Sequence, residues 1–259
     1  MPANRSARQT VIMGQPDVCQ VRALSALTSK QEGVNVTRSV RALIAVAAIT
    51  LGGVTLAAQQ VESDRVAESA KVLEEVLNVR DNSIPKAILD KAKAIVVIPS
   101  TVKGAFVVGA QRGKGIISAR VDSQWSAPAF ITLTGGSIGL QVGGQATDIV
   151  LVVMNERGLN NLMQNSIKIG GSISVAAGPL GREAEGSTDA RFQAEILSYS
   201  RSRGVFAGVS IAGSTIRADR DANEKIYGVG YNTRQIVLEK KAGSPDTITP
   251  WLNVLKTIS

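Results

Sequence analysis

The chain has 259 residues, 44% hydrophobic but only 3% aromatic, with a formal net charge of +8. It contains no histidine and a single cysteine, Cys19, which excludes nucleophile–histidine hydrolysis, histidine-ligated zinc, haem and iron–sulfur chemistry, since those sites need imidazole or thiolate groups. Setting aside the six basic and two acidic residues before Gln59 leaves 23 basic against 19 acidic, a mild excess suited to an anionic surface and too small for a nucleic-acid footprint.

Residues 1–33 are polar and aperiodic and are expected to be disordered, or to precede the true start near Val34 or Val36. Arg38 and Arg41 then lead into an apolar run over residues 42–58 that ends on small residues, Ala57 and Ala58. This order predicts a signal peptide over residues 34–58. The run is short for a membrane-spanning helix, which needs about 20 residues, and a signal anchor retained in the inner membrane is the alternative. The chain is therefore expected to be exported, periplasmic or envelope-associated, with residues 59–259 as one domain.

From Gln59 the period becomes helical. Val66, Ala70, Leu73 and Leu77 recur at three- or four-residue spacing behind a cap at Ser63 or Asp64. A second helix is expected from Asn82 or Ser83, with Pro85 in its first turn and Ile84, Ile88 and Leu89 turned inward. Both helices are expected to cover one face of a sheet. Residues 94–98 are a short apolar strand that Pro99 should stop, and residues 104–110 and 115–120 flank Gln111-Arg-Gly-Lys114, which predicts a hairpin with a basic tip.

A strand over residues 129–133 precedes the glycine-rich stretch 134–154, which carries Gly135, Gly136, Gly139, Gly143 and Gly144 and ends in an apolar run. Such glycines in strands mark bends or close approach of another backbone. Asn155 is a natural cap for a short helix carrying Leu159, Leu162 and Met163. Residues 167–177 repeat the glycine-rich pattern in miniature, and residues 193–201 and 204–211 predict a second hairpin with Arg201 and Arg203 at its tip. A helical turn over 222–227, capped by Asp221, and a terminal helix over 246–258 complete the chain. The expected fold is α+β, a single domain dominated by antiparallel sheet, open or barrel-like, with amphipathic helices at both ends.

No stretch carries a complete catalytic or metal motif. Gly109–Gly115 fails as a phosphate loop because Val108 and Gly115 stand where glycine and serine or threonine are needed. Asp219, Asp221 and Asn223 begin like a calcium loop, but Glu224 and Gly230 replace the required glycine and bidentate glutamate. Glu183, Glu185 and Asp189 share one loop without an aromatic platform for a sugar. No cofactor or metal is expected, and an enzyme is disfavoured.

Several blocks resemble the SYLF lipid-binding domain family. They are Ala92-Lys-Ala-Ile-Val-Val-Ile-Pro99, the segment Gly135–Asp148, Val175-Ala-Ala-Gly-Pro179, the segment Ser198–Gly208 and Asp221–Gly228. In order, they cover roughly residues 63–258; Ala94 stands where the family often has glycine. The resemblance implies a lipid-binding module whose eukaryotic relatives bind phosphoinositides, some also binding actin filaments. It places Lys93 inside one block and Arg201 and Arg203 inside another. With Lys103, Arg112 and Lys114 near the first hairpin tip, these are the candidate head-group residues, and an anionic phospholipid or membrane surface is the expected partner. The alternative is an envelope assembly protein whose glycine-rich strands pack against a protein partner or another copy; no nucleic-acid partner is expected.

Overall fold

A computed structural model describes residues 60–78, 84–105, 109–137, 145–180, 194–202 and 205–258. All belong to the unit Leu56–Ser259. The proposed signal segment, the loop with Glu183, Glu185 and Asp189, and Arg203 lie outside the described residues.

A helix over residues 60–78 (α1) and a short one, Lys86–Lys91 (α2), lead into the sheet. The strands are β1 (Ala94–Ala105), β2 (Gly109–Val121), β3 (Gln124–Trp125), β4 (Ala129–Ser137), β5 (Gln145–Val153), β6 (Ser166–Lys168), β7 (Val175–Ala177), β8 (Ile196–Ser202), β9 (Val205–Gly208) and β10 (Thr215–Ala218). Helix α3 (Glu156–Leu162) follows β5, α4 (Arg220–Tyr227) and α5 (Thr233–Val237) follow β10, and a 3₁₀ turn leads into α6 (Thr249–Lys256). The sheet order is β6-β10-β4-β2-β1-β5-β8-β7, with β3 beside β2 and β9 beside β8. Among the described strands every pairing is antiparallel except β7 with β8. The α+β, antiparallel-dominated expectation holds: the sheet curls into a half-barrel.

Both faces of the central strands are buried, so alternate residues feed two cores. Ile95, Val97, Ile116, Phe130, Val150 and Val152 pack with Val66, Leu73 and Val76 of α1, Ile88 of α2 and Trp251 of α6 on the outer face. Val96, Ile98, Ile117, Ile131, Leu133 and Leu151 pack with Leu159 of α3, Ile216 of β10 and Ile236 of α5 inside the curl. The first two helices thus cover one face of the sheet as expected, and Trp251 is anchored there by Nε1–H donating to Ser118 Oγ at 2.8 Å. Asn155 caps α3, accepting from the Gly158 N–H.

Four local expectations are corrected. First, α1 is already helical at residue 60, ahead of Ser63 and Asp64, and α2 starts behind Pro85, which makes no side-chain cap bond. Second, Pro99 does not stop β1. Between Val97 and Val102, β1 carries one residue more than the facing part of β2, and Ser100 sits there at φ 48° with its N–H donating to Asp148 Oδ1. A bulge of this kind accommodates a residue with no N–H to give to the ladder.

Third, Gln111–Lys114 is not a hairpin tip but the middle of β2, paired to β1 on one side and β4 on the other. Its glycines serve close strand approach: a Cβ on Gly115 would lie 2.2 Å from the Val97 carbonyl oxygen. Fourth, Asp219, not Asp221, caps α4, accepting from the Ala222 N–H.

Candidate cationic surface

At its amino-terminal end α1 is held to the sheet by charge as well as apolar packing. Arg65, almost wholly buried, pairs with Glu62 at 2.6 Å and with Asp219 at 3.0 Å, and its guanidinium lies 5.3 Å from the centre of the Phe130 ring. Burial pushes the Asp219 carboxyl up, but the hydrogen bond and charge of Arg65, the charge of Lys114 and the Ala222 N–H outweigh it and hold the group below the usual carboxylate value. Farther along α1, Arg201 of β8 is clasped by Glu75 of the helix and Asp148 of β5.

Beyond the edge of α1 the outer face opens to solvent. Arg112 and Lys114 stand two residues apart on β2 and so share that face. Arg112 is exposed and lies opposite Val102 of β1, itself 58% exposed. Lys114 is half exposed, 3.5 Å from Asp219. A shallow depression of about 460 Å³ separates them from α1, lined by Val61, Asp64, Arg65, Glu68, Pro99, Ser100, Arg112, Gly113 and Lys114. Val61 on its rim is 59% exposed. The ensemble is a cationic strip with apolar side chains beside it, able to hold phosphate oxygens through guanidinium and ammonium donors.

Comparison with known proteins bears on what such a strip serves. Residues 134–258 match the family model Ysc84, described as Las17-binding protein actin regulator. Protein YSC84 of Saccharomyces cerevisiae is 36% identical over 181 residues, 68% of this chain and 38% of the relative. LAS seventeen-binding protein 3 of the same species is 37% identical over 181 residues, 68% of this chain and 39% of the relative. The human SH3 domain-containing YSC84-like protein 1 is 35% identical over 167 residues, 62% of this chain and 48% of the relative. The chain carries a Ysc84-family domain. The SYLF resemblance is thereby borne out, and the chain spans between about two fifths and a half of the length of these relatives.

The Ysc84 domain does not gather its six sequence-predicted cations into one site. Arg112 and Lys114 are neighbours. Lys93 lies at the opposite end of β1 and pairs with Glu156 at 3.1 Å. Arg201 is tied up by two carboxylates, and the side chain of Lys103 and all of Arg203 lie outside the described residues. Sequence reasoning missed Lys168 and Arg217, which sheet pairing brings to the face that carries Arg112 and Lys114. Alternation within Thr215-Ile-Arg-Ala218 was the available signal, too brief to register.

Proposed function

We propose that the Ysc84 domain of this chain is a non-enzymatic module that associates peripherally with anionic membrane lipid. The observation that carries this reading is the pair Arg112 and Lys114, exposed on one strand face beside the exposed valines Val61 and Val102. Cations near an anionic surface contribute about 1 kcal/mol each and lose it with added salt, while a flanking valine adds shallow apolar contact. Among the described residues, no helix is long and apolar enough to cross a membrane. Export through the segment at residues 34–58 is part of the same proposal, checked by amino-terminal sequencing of the secreted product.

Co-sedimentation of the chain with anionic and neutral vesicles tests the lipid reading. Recovery with anionic vesicles should exceed that with neutral ones at low salt and fall as salt rises; equal recovery contradicts it. A second reading, assembly with a protein partner, is favoured by the names of the relatives, LAS seventeen-binding and SH3 domain-containing. Light scattering separates the two: a defined oligomer with no lipid preference favours assembly.

A further inference from the structure

We propose that the lipid-facing surface is a strip of four cations, Arg112, Lys114, Arg217 and Lys168, built across β2, β4, β10 and β6, and that its partner is a layer of monoanionic phosphate head groups rather than one multiply phosphorylated head group. The inference rests on the lipid-binding reading above and specifies its surface and ligand class.

The register carries the argument. Arg112 faces Thr134 on β4, Thr134 faces Thr215 on β10, and Thr215 faces Lys168 on β6. One step along, Lys114 faces Thr132, Thr132 faces Arg217, and Arg217 faces Ser166. Directly paired residues of neighbouring strands share a face, so these eight side chains form two parallel rows on one surface. The intervening residues confirm the direction: Ile131, Leu133, Ile167 and Ile216 are buried in the core inside the curl. The rows therefore point outward. Arg112, Lys168 and Arg217 are exposed, Lys114 is half exposed, and the threonines between them are partly exposed.

With strands about 4.8 Å apart, Lys114 and Arg217 stand roughly 10 Å apart and Arg112 and Lys168 roughly 14 Å apart at their backbones. The side chains are not drawn to a common point. Lys114 leans on Asp219, whereas Arg217 is turned to the β6 edge by its Nε–H donating to Ser166 Oγ at 3.3 Å. Among the described residues Asp219 is the one carboxylate within ion-pairing distance of these four cations. A concave pocket with converging donors would select a single polyphosphate; cations spaced across four strands on the outside of the curl, with hydroxyls between them, match phosphates spread over a bilayer surface.

The test uses the full chain with phosphatidylcholine vesicles containing increasing phosphatidylglycerol. A parallel set has the same surface charge supplied by a phosphatidylinositol bisphosphate. The expected result is partitioning that follows surface charge equally in both sets. Lys168→Gln with Arg217→Gln should weaken partitioning roughly thirty-fold, as should Arg112→Gln with Lys114→Gln, at about tenfold or less per cation removed. The exchange Lys168→Arg with Arg217→Lys should retain it. If the Lys168 and Arg217 variant binds like the parent while the Arg112 and Lys114 variant fails, the lipid reading stands and the four-cation strip is overturned. Much stronger binding to the bisphosphate set at equal charge overturns the ligand class. Equal binding to neutral vesicles overturns both.

Discussion

Where α1 packs on the sheet, Arg65 of the helix and Arg201 of β8 each face two carboxylates, whereas on the part of the same sheet face that α1 leaves open, Arg112, Lys168 and Arg217 face hydroxyls, an exposed valine and solvent. The residue types are alike and the consequences opposite. Charges at the contact of the helix with the sheet are locked into internal pairs that position α1, because an unpaired buried charge is costly. Charges beyond its edge carry little structural duty and remain available to a partner. The domain's mild cationic excess therefore acts through placement more than through number.

Exchanging the roles of these two regions should break the comparison. The largest expected effect lies in the framework that both regions share. Gly115→Val puts a side chain into the Val97 carbonyl of the neighbouring strand, and a loss of about 3 kcal/mol or more is expected in urea unfolding, the upper end for overpacking. Next comes Arg65→Met, which removes the buried partner of Glu62 and Asp219, leaves them only the half-exposed Lys225 and Lys114, and should cost at most about 3 kcal/mol by the same measurement, the low end for breaking a buried pair. Arg112→Gln with Lys114→Gln should reverse the pattern: stability within about 0.5 kcal/mol of the parent, as for exposed sites generally, but vesicle binding largely lost.

The acid limb offers a smaller effect. The Asp219 carboxyl is held below its unfolded value, so its contribution is complete above that value, about 3.9, and is lost as pH falls through the folded one. Urea midpoints measured down to about pH 2.5 should fall more steeply below roughly pH 4 in the parent than in Asp219→Asn. Smallest of all, Arg201→Gln should leave vesicle binding unchanged, since Glu75 and Asp148 already occupy that guanidinium. A loss comparable to that of the Arg112 and Lys114 variant would show that the pairing opens at a membrane.

Much of the fold was legible from periodicity. The apolar runs at residues 94–98 and 149–154, the α1 stripe and the Asn155 cap each rest on local signals strong enough to survive tertiary context. What escaped depends on contacts between distant segments. Gly113 and Gly115 resemble turn residues until β1 is seen lying against them, and the bulge at Pro99 exists because two neighbouring strands continue past it. The five-residue helix α5 and the four-residue strand β10 are too short to establish a period.

The same limit governed the candidate site. Arg112 and Lys114 were singled out for a hairpin tip that does not exist, yet they are exposed and adjacent because alternation in a strand puts them on one face. Lys168 and Arg217 join them through pairings that span the middle of the chain, which no local pattern encodes. Arg201 drew attention as a surface cation because Glu75 and Asp148 are remote in sequence.

The central claim is that the open cationic face, not the paired charges where α1 packs on the sheet, meets an anionic surface. Vesicle co-sedimentation of the parent chain and of Arg112→Gln with Lys114→Gln, across a salt series, addresses it most directly. The account predicts salt-sensitive binding to anionic vesicles for the parent and, for the variant, recovery close to that with neutral vesicles. Binding by the variant that equals the parent's in strength and salt slope would contradict it.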